Sequence, residues 1–243
     1  HVVRGSDHVT NTATQIQMIR TLGFEPPVFA HHSLLTGPQG EALSKRLGTL
    51  SLREMRAQGV QPFALLSLMA RLGSSDPVEL QTSLEALAEG FDLTKFGSAP
   101  TKFDSDDLFP LTARYLHGLS YAEVAEEIAS VGVPADLAEA FWGAIHENIT
   151  TLKDISVWWD MLRDGAEPLI DEEDASFVSE ALALLPDDRT PETWGQWTTT
   201  VKEATGRKGK GLFQPLRKAL TGQTAGPDMG ALLPLMQVIR AKD

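Results

Sequence analysis

Cysteine is absent from the 243 residues, which excludes disulfides and thiolate-ligated zinc or iron–sulfur centres. Long apolar runs are missing as well. The longest, Phe63-Ala64-Leu65-Leu66 and Ala181-Leu182-Ala183-Leu184-Leu185, fall far short of the roughly 20 residues that span a bilayer. No basic, apolar, small-residue leader opens the chain, so a cytoplasmic protein without membrane attachment is the expectation. Metal-binding patterns are lacking: His31-His32 has no HExxH spacing, and Asp104, Asp106 and Asp107 do not follow a calcium loop. Positive charge is scarce, with 21 Lys and Arg against 33 Asp and Glu and a net charge of −12. As one number, that argues against a nucleic-acid partner. Its distribution says otherwise. Residues 1–60 carry 6 basic and 4 acidic groups, 61–120 carry 4 and 8, 121–200 carry 3 and 18, and 201–243 carry 8 and 3.

What is present is mostly helical punctuation. Ser51 and Glu54 stand at capping-box spacing. Pro62 suits a first helical position, and Phe63, Leu65, Leu66, Met69 and Leu72 recur at helical spacing up to Gly73. Ser120 and Glu123 repeat the box ahead of Val124 and Ile128. Residues 136–164 read as one or two long helices. Thr190-Pro191-Glu192 opens another, with Trp194, Trp197 and Val201 on one face. Residues 215–220 form a short helix stopped by Gly222, and 229–240 read as the last. Strand signals are confined to Val2-Val3 and Val28-Phe29-Ala30, which frame a helix and give the strand–helix–strand grammar of an α/β layer.

Three stretches could carry chemistry. In the first, Val3-Arg4-Gly5-Ser6-Asp7-His8 leads into Thr10-Asn11-Thr12. Either it aims amides and Arg4 at an anion, or it is an ordinary turn capped by Asp7 and Thr10. The second runs from Gly37-Pro38-Gln39-Gly40 to Leu43-Ser44-Lys45-Arg46. Either it is a mobile loop that lays Lys45 on a polyphosphate, or it is a solvated basic turn. The third holds Arg207, Lys208, Lys210, Arg217 and Lys218 around Phe213. Here Phe213 is expected in the core, while the cations are open between RNA phosphates and solvent. Asp171-Glu172-Glu173-Asp174 reads as an acidic helix start, and His31-His32 as packing or hydrogen-bonding residues.

Together these stretches resemble the bacterial glutamyl-tRNA synthetases, a family of class I aminoacyl-tRNA synthetases. His1 to Thr12 is similar to the family's HVIRGEDH-x-x-NT segment. Phe29-Ala30-His31-His32 through Arg46 resembles its second signature, the KMSKS-type loop. Lys102-Phe103-Asp104 and the segment from Thr205 to Pro227 match further family elements. Ser6, Ala42 and Leu47 depart from the usual Glu, basic residue and His.

The resemblance implies a mainly α chain: a short α/β remnant of a class I catalytic domain, then a stem-contact region and an all-helical anticodon-binding region. Its divisions would be 1–41, 42–120, 121–168 and 169–243. It implies glutamate–tRNA ligation through glutamyl-adenylate, with L-glutamate, ATP with Mg²⁺ and tRNA(Glu) as partners, a monomer as the whole enzyme, and no structural metal. Arg4 would hold glutamate at its α-carboxylate side. Asp7, His8, Leu35, Leu43, Ser44, Lys45 and Arg46 would line the ATP site, with Lys45 catalytic, and Arg207, Lys208, Lys210 and Arg217 would meet tRNA. The start at His1, without the family's N-terminal Rossmann portion, leads to four expectations: a C-terminal half, inactive alone, binding tRNA with a steep salt dependence, and with residues 1–36 rearranged or covered by a neighbouring molecule. The alternatives are a non-catalytic helical interaction module and a specialised relative that charges tRNA(Gln) with glutamate.

Overall fold

The computed structural model describes residues 1–41, 43 and 51–242. It divides into two compact units, His1–Tyr115 and Leu116–Asp243. The first opens with β1 (Val2–Gly5) and β2 (Phe29–His32), joined by α1 (Val9–Thr21). The strands are parallel, with Val2 opposite Phe29 and Arg4 opposite His31. The strand–helix–strand reading therefore holds, and the pair keeps its register within a single chain instead of rearranging. Val3, Met18, Leu22, Phe24 and Val28 remain exposed.

The rest of this unit is α2 (Leu52–Gln58), α3 (Pro62–Arg71), α4 (Leu84–Ala88) and most of α5 (Leu108–His117). Met55, Val60, Ala64, Leu68, Phe103, Leu108 and Leu111 form its core. A second parallel pair, β3 (Leu35–Thr36) with β4 (Thr101–Lys102), was not expected, since two-residue strands show no alternation to read. It explains Lys102-Phe103-Asp104: the first residue pairs in the sheet, Phe103 is 3% exposed in the core, and Asp104 accepts the Asp106 N–H at 3.0 Å to start the turn into α5.

The second unit is helical: α6 (Tyr121–Ser130), α7 (Ala138–Ile145), α8 (Asp154–Asp164), α9 (Ala175–Ala183), α10 (Thr193–Thr205), α11 (Lys210–Thr221) and α12 (Met229–Leu232). Its core holds Phe141 edge-on to Trp159 at 5.7 Å, with Trp197 donating its indole N–H to the Ala181 carbonyl at 2.8 Å.

The 136–164 stretch divides into two helices, α7 and α8, one of the two expected readings. The break falls where Ile149 turns extended, and the Asp154 carboxylate at the start of α8 takes the Thr150 and Thr151 amides of the turn before it at 2.7 and 2.9 Å. Two other expected helices differ. The 229–240 stretch holds a single turn of α-helix. Pro234 has no N–H to continue it, and a 3₁₀ turn over Leu233–Leu235 follows. Conversely, α11 begins five residues ahead of Pro215. The Gly211 carbonyl that Pro215 cannot serve instead accepts from Arg207 Nη1 at 3.3 Å.

Candidate functional site

At the end of β1, Arg4 is half-buried and its guanidinium lies over the Phe29 ring, 4.9 Å from the centroid. Its Nη2 donates to the Thr12 hydroxyl and, at 2.8 Å, to Gln15 Oε1. Thr12 is itself buried. It donates to the His8 carbonyl at 2.8 Å and meets His31 Nε2 at 2.8 Å. A hydroxyl has one proton and two lone pairs. With the proton on the His8 carbonyl, Thr12 accepts from both Arg4 and His31, so His31 carries a proton on Nε2. The Arg4 Nε is buried with no hydrogen-bond partner among the described residues. Such an orphaned donor calls for an explanation, and a ligand acceptor is one.

The turn after Arg4 is shaped by Gly5. A Cβ there would stand 2.4 Å from Asp7 Oδ1 and 3.1 Å from Leu34 Cδ2. The missing side chain lets the Asp7 carboxylate fold back over the strand end. His8 Nε2 lies 3.8 Å from Asp7 Oδ2, and both side chains are exposed. No side chain caps α1, contrary to the capping alternative for Asp7 and Thr10; the Val9 N–H that opens it donates to the Ser6 carbonyl of the 3₁₀ turn ahead of it. His32 Nδ1 meets the Ser33 carbonyl at 2.8 Å, so both adjacent histidines serve hydrogen bonding.

The second stretch opens as a closed turn. Gly37 N–H donates to the Glu41 carbonyl at 2.8 Å, and Gln39 N–H to the Glu41 carboxylate at 3.0 Å. Ser44, Lys45 and Arg46 lie outside the described residues. Leu35 and Leu43, both assigned to the ATP site, do come together: with Leu52, Met55, Met69 and Phe103 they line an apolar recess of about 280 Å³. An apolar recess of this size suits a flat heterocycle.

Two family models divide the chain. The catalytic domain of class I tRNA synthetases (E and Q) matches residues 1–110, and an anticodon binding domain matches residues 121–237. Glutamate–tRNA ligase 1 of Roseobacter denitrificans is 70% identical over 100% of this chain and 55% of its own length. That of Ruegeria pomeroyi is 69% identical over 99% and 55%. The chain belongs to the glutamyl-tRNA synthetase family. A crystal structure of the glutamate-tRNA synthetase of Elizabethkingia anophelis covers 97% of this chain with a TM-score of 0.77 at 25% identity, the match taking in 54% of that chain. A glutamate tRNA ligase from Elizabethkingia meningosepticum, solved in complex with its amino acid, superposes with a TM-score of 0.75 at 26% identity. The chain thus spans about half the length of the family members it matches.

Within this synthetase-family chain, the third stretch is not one patch. Arg207 forms an ion pair with Asp174 and lies 4.0 Å over the Phe177 ring. Lys218, 9% exposed, pairs with Asp171. Arg217 donates to the Pro227 carbonyl at 2.9 Å. Burial pushes its guanidinium below the ordinary value, opposed by nearby Asp228. Among the five cations, Lys208 and Lys210 stand exposed. Asp171 and Asp174 are therefore ion-pair partners as well as an acidic helix start. Phe213 is not core: it is 44% exposed and tilts against half-buried Trp194 at 6.3 Å. Gly222 closes α11 at φ +67, where any Cβ would stand 2.7 Å from the Glu167 carbonyl. No helix of the described residues is long and apolar enough to cross a membrane.

Sequence reasoning missed the support of Arg4. The signal was available: Thr12 and Gln15 are three apart on α1 and share the face toward β1.

Proposed function

We propose that these residues form the phosphate-loop and tRNA-binding part of a glutamate–tRNA ligase, whose whole enzyme works as a monomer on L-glutamate, ATP with Mg²⁺ and tRNA(Glu). Arg4 takes the amino acid at its α-carboxylate side. Asp7 and His8 stand at the nucleotide end, Leu35 and Leu43 give the adenine an apolar slot, and Ser44, Lys45 and Arg46 follow on the phosphate loop. A glutamate α-carboxylate oxygen attacks the α-phosphorus of ATP in line and pyrophosphate leaves; a ribose hydroxyl of the tRNA's terminal adenosine then takes the acyl group from the adenylate, and AMP leaves. The protein's contribution is orientation and neutralisation of phosphate charge. Mg²⁺ enters with ATP as part of that substrate. The divisions 1–41, 42–120, 121–168 and 169–243 serve as catalytic remnant, stem-contact region and two anticodon-binding subdomains, with Lys208 and Lys210 the exposed phosphate contacts.

The observation that supports this reading best is Arg4. It is stacked on Phe29 and held by Thr12, with a buried Nε left for an acceptor, in a chain that is 70% identical over its whole length to a glutamate–tRNA ligase. Two measurements test it. The 243-residue chain should retain tRNA(Glu) on a filter in preference to a non-cognate tRNA, and equal retention of both overturns the tRNA assignment. It should show no ATP–pyrophosphate exchange alone, since it spans about 55% of its relatives' length. Measurable exchange overturns the division of the active site.

A further inference from the structure

We propose that Gln15 is a placeholder on Arg4, its side-chain carbonyl occupying the guanidinium hydrogen that a substrate carboxylate takes over on binding. The inference rests on the reading of Arg4 as the carboxylate clamp and adds the residue that governs its availability.

A guanidinium offers five hydrogens in a fixed fork: one on Nε, two on Nη1 and two on Nη2. A carboxylate binds it best through two parallel N–H groups on one edge, either Nε with Nη2 or Nη1 with Nη2. Nη2 belongs to both edges. In this structure both of its hydrogens are taken, one by the Thr12 hydroxyl and one by Gln15 Oε1 at 2.8 Å. No two-hydrogen edge of Arg4 is free, although its Nε is buried and unpartnered. A carboxylate that bonds in two places must therefore displace one of the two Nη2 partners.

The two partners are unequal. Thr12 is 6% exposed and fixed on every side, since its proton is on the His8 carbonyl and its second lone pair takes the His31 Nε2 proton. Removing it would unpair three partly buried groups at once. Gln15 is exposed on α1, and this contact with Arg4 is a single bond. Its neutral amide oxygen is a weaker acceptor for a cation than a carboxylate. Gln15 is thus the partner that yields, and Thr12 with His31 are positioning residues that keep the guanidinium plane fixed over Phe29 while it does so. A neutral acceptor from solvent gains little by displacing Gln15, whereas an anionic one gains a second charge-assisted bond.

The test is an NMR titration of the ¹⁵N-labelled 243-residue chain with L-glutamate. It follows the Arg4 Nε–H signal, assigned by its loss in Arg4→Lys. In the unaltered chain L-glutamate should move this signal downfield. Gln15→Ala should bind L-glutamate about 3- to 10-fold more tightly, the ordinary range for removing one competing hydrogen bond. Gln15→Glu, which strengthens the placeholder, should bind more weakly. A merely structural Gln15 would not move affinity in opposite directions, and a ligand-contacting Gln15 would lose affinity in Gln15→Ala. A shift in the unaltered chain with equal or weaker binding by Gln15→Ala overturns the placeholder and leaves the clamp standing. No Arg4 response in either chain overturns the clamp and the placeholder together.

Discussion

Arg207 and Lys208 are neighbours of one charge, yet the fold gives them opposite tasks. Arg207 has Asp174 and the Phe177 face across 33 and 30 residues of chain, and it serves the Gly211 carbonyl as well. Arg207→Ala should therefore cost about 1–3 kcal/mol in urea unfolding, because it strands a largely buried carboxylate and a helix carbonyl. Lys208→Ala should stay within about 0.5 kcal/mol. An equal effect of the two would refute this division. Five cations within twelve residues look alike in a sequence, since what separates them is partners far along the chain. Arg4 was legible because its motif is local, but which of its hydrogens were already spoken for depended on Thr12 and Gln15 coming back beside β1.

Helices whose ends are set by their own residues were readable, and those ended by a distant partner were not. Ser120 and Glu123 form the expected capping box, with the Glu123 carboxylate accepting from the Ser120 amide at 2.8 Å and its hydroxyl at 2.7 Å. Ser51 likewise caps α2, taking the Glu54 amide at 3.0 Å, while Glu54 accepts from Gln58. The break at Ile149 is different. Its carbonyl meets His117 Nε2 at 2.9 Å, a contact no window around 149 reveals.

The box also sets a pH response. Bonds from Ser120 hold the Glu123 carboxyl below its ordinary value. A carboxyl depressed by folding stabilises above its unfolded value, and that contribution disappears as pH falls through the folded value. Thermal melts from pH 7 to pH 3 should therefore show acid destabilisation that is smaller in Glu123→Gln. Ser120→Ala should cost about 1 kcal/mol at neutral pH by the same measurement. In the core of this unit, Leu216→Ala on α11 should cost about 2–5 kcal/mol, Leu216 being fully buried.

At the scale of the molecule, the charge gradient becomes a set of internal pairs. Arg207 with Asp174, Lys218 with Asp171, Arg240 with Glu167 and Lys242 with Asp187 join the basic 201–242 stretch to the acidic residues before it. Of the five cations from Arg207 to Lys218, Lys208 and Lys210 then stay exposed, so the expected steep salt dependence softens. Filter binding of tRNA between 50 and 200 mM salt should lose a log–log slope of about 1.4–1.8 in the Lys208→Ala, Lys210→Ala double variant, roughly 0.7–0.9 per phosphate contact. An unchanged slope would place the footprint elsewhere. The same pairing bears on how the chain is made. Synthesis delivers residues 121–200 first, with 18 acidic groups against 3 basic ones, and their partners Lys218, Arg240 and Lys242 only afterwards. A nascent chain therefore carries a self-repelling helical segment until its counter-charges leave the ribosome. Closure of the helical unit waits on residues 201–242, and a ribosome stalled ahead of them leaves the acidic helices open to chaperones and proteases.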